Sequence, residues 1–266
     1  MNTLVARLGC AALILPVLLA VSGCDIAMAD LKAKETAEWR KSYELQPGGR
    51  VEISNVNGRI LVEPSDGNTL EVVAVKSARG ATPESAKDAL ARVEIVEDAT
   101  AARVRIETKV QRVSGIFNHG GVEVAYTVRL PAGADVKFTT VNGGIEVARI
   151  SGRIEVETVN GAIVARDVAG GSFAANTVNG GIDVALTSVP ERGVKLGCTN
   201  GGIELRLPSD GKADIVARVV NGGIEADGAG FETSEKSRRR FEGRLNGGGP
   251  RIEIDGTNGG IRITAR

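Results

Sequence analysis

The sequence of 266 residues sets 33 basic against 33 acidic side chains, and a formal net charge of zero argues against a nucleic-acid-binding surface, which carries a basic excess. Glycine is frequent at 35 residues, against one Trp, two Tyr and five Phe, which fits many turns and small aliphatic strands better than a globular enzyme core. An apolar fraction of 42% excludes a disordered chain.

The first residues read as a targeting segment. Arg7 precedes the apolar run Ala11-Ala12-Leu13-Ile14-Leu15-Pro16-Val17-Leu18-Leu19-Ala20, which is too short to span a bilayer and suits a signal-peptide core over residues 1–23. Val21-Ser22-Gly23-Cys24 follows and resembles a bacterial lipobox. That resemblance implies cleavage before Cys24 and acylation of its thiol and freed amine, a membrane anchor of several chains. The other reading is cleavage after Ala27-Met28-Ala29, giving a soluble periplasmic protein. With Cys10 in the signal and Cys24 lipidated, Cys198 alone remains for the mature body, so no intramolecular disulfide is expected. Alternation from Val194 and Leu196 points Cys198 inward as a small buried hydrophobe.

Residues 24–40 read as a polar, partly helical tether. The region 41–135 reads as a small antiparallel β unit. In it Lys41 to Leu45 alternates, Pro47-Gly48-Gly49 turns into Arg50 to Ser54, and Asn57-Gly58 reverses the chain into Arg59 to Glu63. Asp66-Gly67 turns it again into Leu70 to Val75. Thr82 as N-cap before Pro83 predicts a short helix over 83–91. Strands from Val93, Val104 and Val122 complete the region.

From Val136 one unit recurs: Thr140-Val141-Asn142-Gly143-Gly144-Ile145-Glu146-Val147. Its asparagines fall at Asn142, Asn160, Asn179, Asn200 and Asn221, spaced 18, 19, 21 and 21 apart, with other turns midway between them. Further copies stand at Asn246-Gly247-Gly248 and Asn258-Gly259-Gly260, and an early one at Asn57-Gly58. Each repeat is two strands and two corners, and the apolar–polar alternation gives each strand one buried face. A hairpin meander has no reason to repeat the same turn at every second corner. A parallel β-solenoid of two strands per coil does, because identical residues then stack and the five asparagines form a hydrogen-bonded ladder. The solenoid is expected over 136–266, interrupted by an irregular loop at 227–244. That loop carries the basic run Lys236 to Arg240, read as a solvated segment or as a contact for anionic glycans or lipid headgroups.

The stretch Gly49 to Ile60, the series Asn-Gly-Gly-Ile-x-Val, and the closing Gly247 to Ile254 and Thr257 to Ile263 resemble the DUF4097 adhesin-like family of bacterial envelope proteins, over about Lys41 to Arg266. The resemblance implies a β-solenoid-like fold and brings no catalytic residues to carry over.

The search for chemistry yields little. His119 stands without a second histidine and reads as a turn residue. Gly247-Gly248-Gly249 lacks the helix of a phosphate loop, and the turns lack the aspartates of calcium-binding repeats. No metal, cofactor or catalytic residue is expected. One constellation stands out: if coils stack, Asp183, Glu204 and Glu225 align on one outer face, offset by Arg206 and Arg218 or forming a strip for a cation or basic ligand. The expected function is a non-catalytic, lipid-anchored envelope module that binds an envelope protein or glycan through its flat faces. The alternatives are a structural or regulatory periplasmic lipoprotein working through a protein partner and, less well supported by eight aromatics, a carbohydrate-active β-helix enzyme.

Overall fold

The computed structural model describes residues 33–111 and 121–266. The alternation of apolar and polar residues becomes β-structure along almost all of it. The first part forms β1 (Ala33–Glu44), β2 (Arg50–Ser54), β3 (Ile60–Ser65), β4 (Thr69–Gly80), the helix α1 (Pro83–Ala91), β5 (Val93–Ala99), β6 (Arg103–Val110) and β7 (Val122–Pro131). The repeats form β8 (Asp135–Asn142), β9 (Ile145–Ala148), β10 (Arg153–Asn160), β11 (Ile163–Val168), β12 (Ser172–Asn179), β13 (Ile182–Leu186), β14 (Val194–Asn200) and β15 (Ile203–Leu207). The chain ends with β16 (Ala213–Asn221), β17 (Ile224–Gly228), β18 (Phe231–Lys236), β19 (Arg240–Leu245), β20 (Arg251–Asn258) and β21 (Ile261–Ala265).

Two sheets face each other. Sheet A has ten strands in the order β1-β4-β7-β3-β9-β11-β13-β15-β21-β17, and sheet B eleven in the order β18-β19-β16-β20-β14-β12-β10-β8-β2-β6-β5. The fold is a parallel β-solenoid with two strands per coil, preceded by a small antiparallel region with one short helix. Ile145, Ile163, Ile182 and Ile203 stack inward from sheet A, and Phe138, Val156, Ala175 and Leu196 from sheet B, all at most 2% exposed. Burying such a column removes from water roughly 1.5–3 kcal/mol of apolar side chain per residue. The helix starts as read: Thr82 caps it by accepting from the Ser85 amide, Pro83 opens it, and Ala86 and Ala89 are its buried residues.

Several expectations change. Ala33 to Arg40 is not tether but the first part of β1, paired antiparallel with β4. Asn57-Gly58 does not close a hairpin: β2 pairs in parallel with β6 and β8, β3 in parallel with β7 and β9, and so the two strands lie in different sheets as a solenoid coil. The antiparallel pairings at this end are β1–β4, β4–β7 and β5–β6. The loop expected at 227–244 is largely the hairpin β18–β19, laid antiparallel on β16. Lys236 to Arg240 forms its turn, where the Arg238 and Arg239 carbonyls accept from the amides of Ile224 and Val219 at 3.1 and 3.0 Å. The basic run thus closes the last coil, which protects an edge that would otherwise pair with another chain.

The largest departure is in stacking order. Coil β20–β21, last in sequence, inserts between β14–β15 and β16–β17. Asn246-Gly247-Gly248 is no coil corner. Asn246 adopts φ 50°, and its amide donates to the carbonyls of Ser209 and Gly211 at 2.8 Å. The odd spacings around residue 246 follow from this, since the next corner after Asn221 is Asn258.

An ordinary solenoid loses its last coil by peeling, at the cost of one interface. Here deletion of residues 250–266 removes an interior coil and leaves β14 and β16 unpaired on facing edges. The truncated chain should lose its cooperative denaturant transition, whereas a simple terminal repeat would only shift the midpoint.

Candidate functional site

Along one edge of the solenoid, seven crossings from sheet B to sheet A are made at an asparagine. In stack order these are Asn57, Asn142, Asn160, Asn179, Asn200, Asn258 and Asn221, and each side-chain amide from Asn142 onward donates to the Oδ1 of the one before it at 2.7–2.9 Å. Asn142, Asn160, Asn179 and Asn200 are direct neighbours. Asn200 and Asn221 are not, because Asn258 stands between them. Amides bonded head to tail in one direction polarise one another, so the row is a cooperative unit.

The glycine after each asparagine is fixed by contact. A Cβ on Gly161, Gly180 or Gly201 would lie 2.0, 2.0 and 1.9 Å from the carbonyl oxygen of the equivalent glycine one coil earlier. That carbonyl also accepts a buried side chain. Thr158 and Thr177 donate to Gly143 and Gly161 at 2.9 and 3.0 Å, and Cys198 takes the same place with its Sγ 3.1 Å from the Gly180 oxygen. The cysteine is buried, as alternation implies, but it stands in for a threonine and makes its hydrogen bond. Burial pushes its thiol pKa up, away from the reactive thiolate.

The second glycine is different. A Cβ on Gly181 or Gly202 would meet nothing closer than a carbonyl oxygen at 3.5 Å, one on Gly223 would meet nothing within 4 Å, and coil β10–β11 carries Ala162 there. These glycines form the floor of a trough of about 560 Å³ on the outer face of sheet A.

The trough is walled by the residues after each isoleucine. Register places Glu146, Val164, Asp183, Glu204, Arg262 and Glu225 side by side in that order. Asp183 and Glu204 are neighbours, but Arg262 separates Glu204 from Glu225. The expected run of three acids is therefore broken by the inserted coil. Arg206 bridges Asp183 and Glu204, reaching the latter at 2.6 Å, and Arg262 reaches Glu225 at 3.1 Å. The Arg206 hydrogen bond holds the Glu204 carboxyl below the usual glutamate range. Arg218 plays no part in this, because it lies on sheet B. Among the described residues no group of three or more His, Cys, Asp and Glu is placed to hold a metal. Cys24 and His119 lie outside the described residues.

Sequence reading missed a column on the other face. Val141, Val159, Val178 and Val220, each just before a ladder asparagine, are 39–56% exposed on the outside of sheet B. The signal was available: counting by twos from Phe138 puts Thr140 inside and Val141 outside. They border an open groove of about 910 Å³.

A two-sheet β-solenoid with an asparagine–glycine corner in seven coils is the class defined by this geometry. The chain belongs to the family described as Toastrack DUF4097, whose profile matches residues 29–264. It is similar to the crystal structure of a "putative cell adhesion protein" from Clostridium sporogenes, at 14% identity over 87% of this chain and 100% of that one, with a TM-score of 0.47. A "putative adhesin" from Bacteroides fragilis is similar at 9% identity over 86% and 97%, with a TM-score of 0.38. A "Putative lipid binding protein" from Parabacteroides distasonis is similar at 10% identity over 88% and 97%, with a TM-score of 0.29. No curated protein sequence matches the chain.

The two glycines of one corner should respond in opposite ways to the same change. Gly180→Ala drives a Cβ into a backbone oxygen and should cost roughly 2–4 kcal/mol. Gly181→Ala fits, restricts the unfolded chain, and should be neutral or stabilising by up to about 1 kcal/mol. Urea denaturation of the two variants measures the difference.

Proposed function

We propose that this chain is a non-catalytic binding module of the bacterial cell envelope, lipid-anchored through Cys24, that takes an extended ligand along the trough of sheet A. The observation that carries the reading is the second glycine. Backbone strain and close packing account for the first glycine of each corner and leave the second unexplained at Gly181, Gly202, Gly260 and Gly223, which keep the floor bare in four successive coils. A bare floor exposes backbone groups at the strand spacing of about 4.8 Å. An extended envelope glycan or protein segment can lie against it between charged walls, with Arg206 and Arg262 spaced along the carboxylates. Flat repeated faces are how solenoids form extended contact surfaces. The anchor rests on the lipobox-like Val21-Ser22-Gly23-Cys24 after a short apolar run.

A photo-reactive amino acid at Glu204, activated in living cells, should give an adduct with an envelope component. Placing side chains on the floor by Gly181→Gln with Gly202→Gln should abolish that adduct and leave the melting temperature unchanged. An adduct indifferent to the filled trough would sink the reading, as would none at all. For the anchor, metabolic acyl labelling of the chain should vanish in Cys24→Ala, and persistence of label would reject lipidation at that residue.

A further inference from the structure

The outer face of sheet B carries charged rows in which Lys137 pairs with Glu155 at 2.6 Å, Arg50 with Glu52 at 2.6 Å and Arg251 with Glu253 at 3.5 Å, and the sign order along the rows is a further regularity that these pairs do not fix. Strand β12 lies at the middle of this sheet, with five strands on either side. Five residues before each ladder asparagine the side chains point outward in a single row. Glu52, Lys137 and Glu155 lead up to Ala174, and Lys195, Glu253 and Val216 follow it. Two residues earlier a second row reads Arg50, Asp135 and Arg153 up to Ser172, then Gly193, Arg251 and Asp214.

Neighbouring strands favour alternating signs, since opposite charges side by side attract and like charges repel. Strict alternation over seven strands would give the same sign at equal distances on either side of the centre. Here it does not. Both rows pass through a neutral residue on β12 and resume with the phase inverted, so that Lys137 is balanced by Glu253, Glu155 by Lys195, Arg50 by Asp214 and Asp135 by Arg251.

We propose that this face is the interface of a two-fold symmetric dimer, with the axis lying between the two copies and parallel to β12. That rotation preserves the level along each strand and reverses the stacking order. It sets β10 against β14 of the second copy, β8 against β20 and β2 against β16. Every charged pair it creates in the two rows is then of opposite sign: Glu155 with Lys195, Lys137 with Glu253, Arg50 with Asp214 and Asp135 with Arg251. An isologous interface needs this self-complementarity.

The exposed valines fall into the same register. Val178 meets its own copy on the axis, Val159 meets Thr199, Val141 meets Thr257 and Val56 meets Val220, so an apolar column that is 37–56% exposed at its valines in the single chain becomes covered. Beyond the seven strands the rim is mixed. Arg105 meets Glu242 and Glu107 meets Arg240, while the like pairs Arg103–Arg244 and Asp98–Glu235 fall where solvent screens them. Six strand steps of about 4.8 Å by about eight residues of about 3.3 Å give a face of roughly 750 Å². That is near the ~800 Å² per partner of a stable interface. The proposal uses sheet B alone and is independent of the ligand reading for sheet A.

The test is disulfide capture of the full chain in its own membrane, in a Cys198→Thr background that keeps the buried hydrogen bond. Asn176→Cys places thiols beside the axis, and Val164→Cys places them on the opposite sheet as a control. Mild oxidation should yield a homodimer for Asn176→Cys and at least tenfold less for Val164→Cys. Lys195→Glu or Glu155→Lys alone should reduce the dimer about tenfold, and the two together should restore it. Within one chain these residues stand two strands apart, about 10 Å, so intramolecular repair does not explain a rescue. Monomer only, adducts to a different protein in place of the homodimer, equal capture through Val164→Cys, or no rescue by the charge swap would each overturn the proposal. Unchanged melting of the charge variants shows that the fold is retained.

Discussion

Each coil of this protein rests on the previous one through a contact between a glycine α-carbon and a carbonyl oxygen. The contact leaves no room for a Cβ: at the asparagine corners a side chain would have to accept a distance as short as 1.8 Å, at Gly222 over the Gly259 oxygen. At Gly58, Gly143, Gly161 and Gly180 the same oxygen receives the buried threonine or cysteine hydrogen bond, and the neighbouring asparagine adds its amide to the ladder. Three bonding requirements meet at one corner, and all are met only when successive corners have the same sequence. The repeat is therefore a consequence of close stacking, as the obligatory pairing of buried backbone groups requires. On β8, β10, β12 and β14 the inward position two before the asparagine carries a small donor, and at Cys198 a thiol serves where its neighbours carry hydroxyls, whereas Gly256 on β20 and Val219 on β16 fill it without a side-chain donor.

Once the corners and the interior are fixed, only the outward columns are free to vary, and function has to be sought there. The two faces use that freedom differently. Sheet A keeps a bare glycine floor beside carboxylates, of which Arg206 pairs with Asp183 and Glu204 and Arg262 with Glu225. Sheet B carries an exposed valine column and charged rows whose phase inverts at β12. A trough open along its length suits an extended ligand. A broad face with self-complementary charge suits a second copy. If each face takes its own partner, the dimer presents two troughs on opposite sides, and two weak contacts to a repetitive ligand then act with the gain of multivalency.

The ends of the stack obey a different constraint from its middle. A solenoid must hide its terminal edges, and here each end is closed by antiparallel strands: β1 and β4 on sheet A with the helix, and β18–β19 on sheet B. Near both ends the stacking order departs from sequence order. Coil β6–β7 lies outside β2–β3, and coil β16–β17 lies outside β20–β21. The insertion of β20–β21 between two earlier coils couples these coils into one folding unit.

The periodic parts of the chain were legible in the sequence because their determinants are local. Asparagine–glycine corners, inward isoleucines and the Thr82-Pro83 helix start depend on residues a few positions apart, and they stand where the sequence puts them. Which corner stacks on which is not local. Asn246-Gly247-Gly248 and Asn258-Gly259-Gly260 look alike as strings, and only the second is a rung, because Asn246 is drawn to the Ser209 and Gly211 carbonyls while Asn258 finds Asn200 and Asn221 across 58 and 37 residues of chain. From that choice follow the separation of Glu204 from Glu225 by Arg262 and the inversion of charge about β12. Sequence alone determined the shape of a coil, through sterics and hydrogen bonding within it. The tertiary structure decided the order of the coils, because between nearly identical corners the contacts that discriminate are made only after the chain has come back on itself.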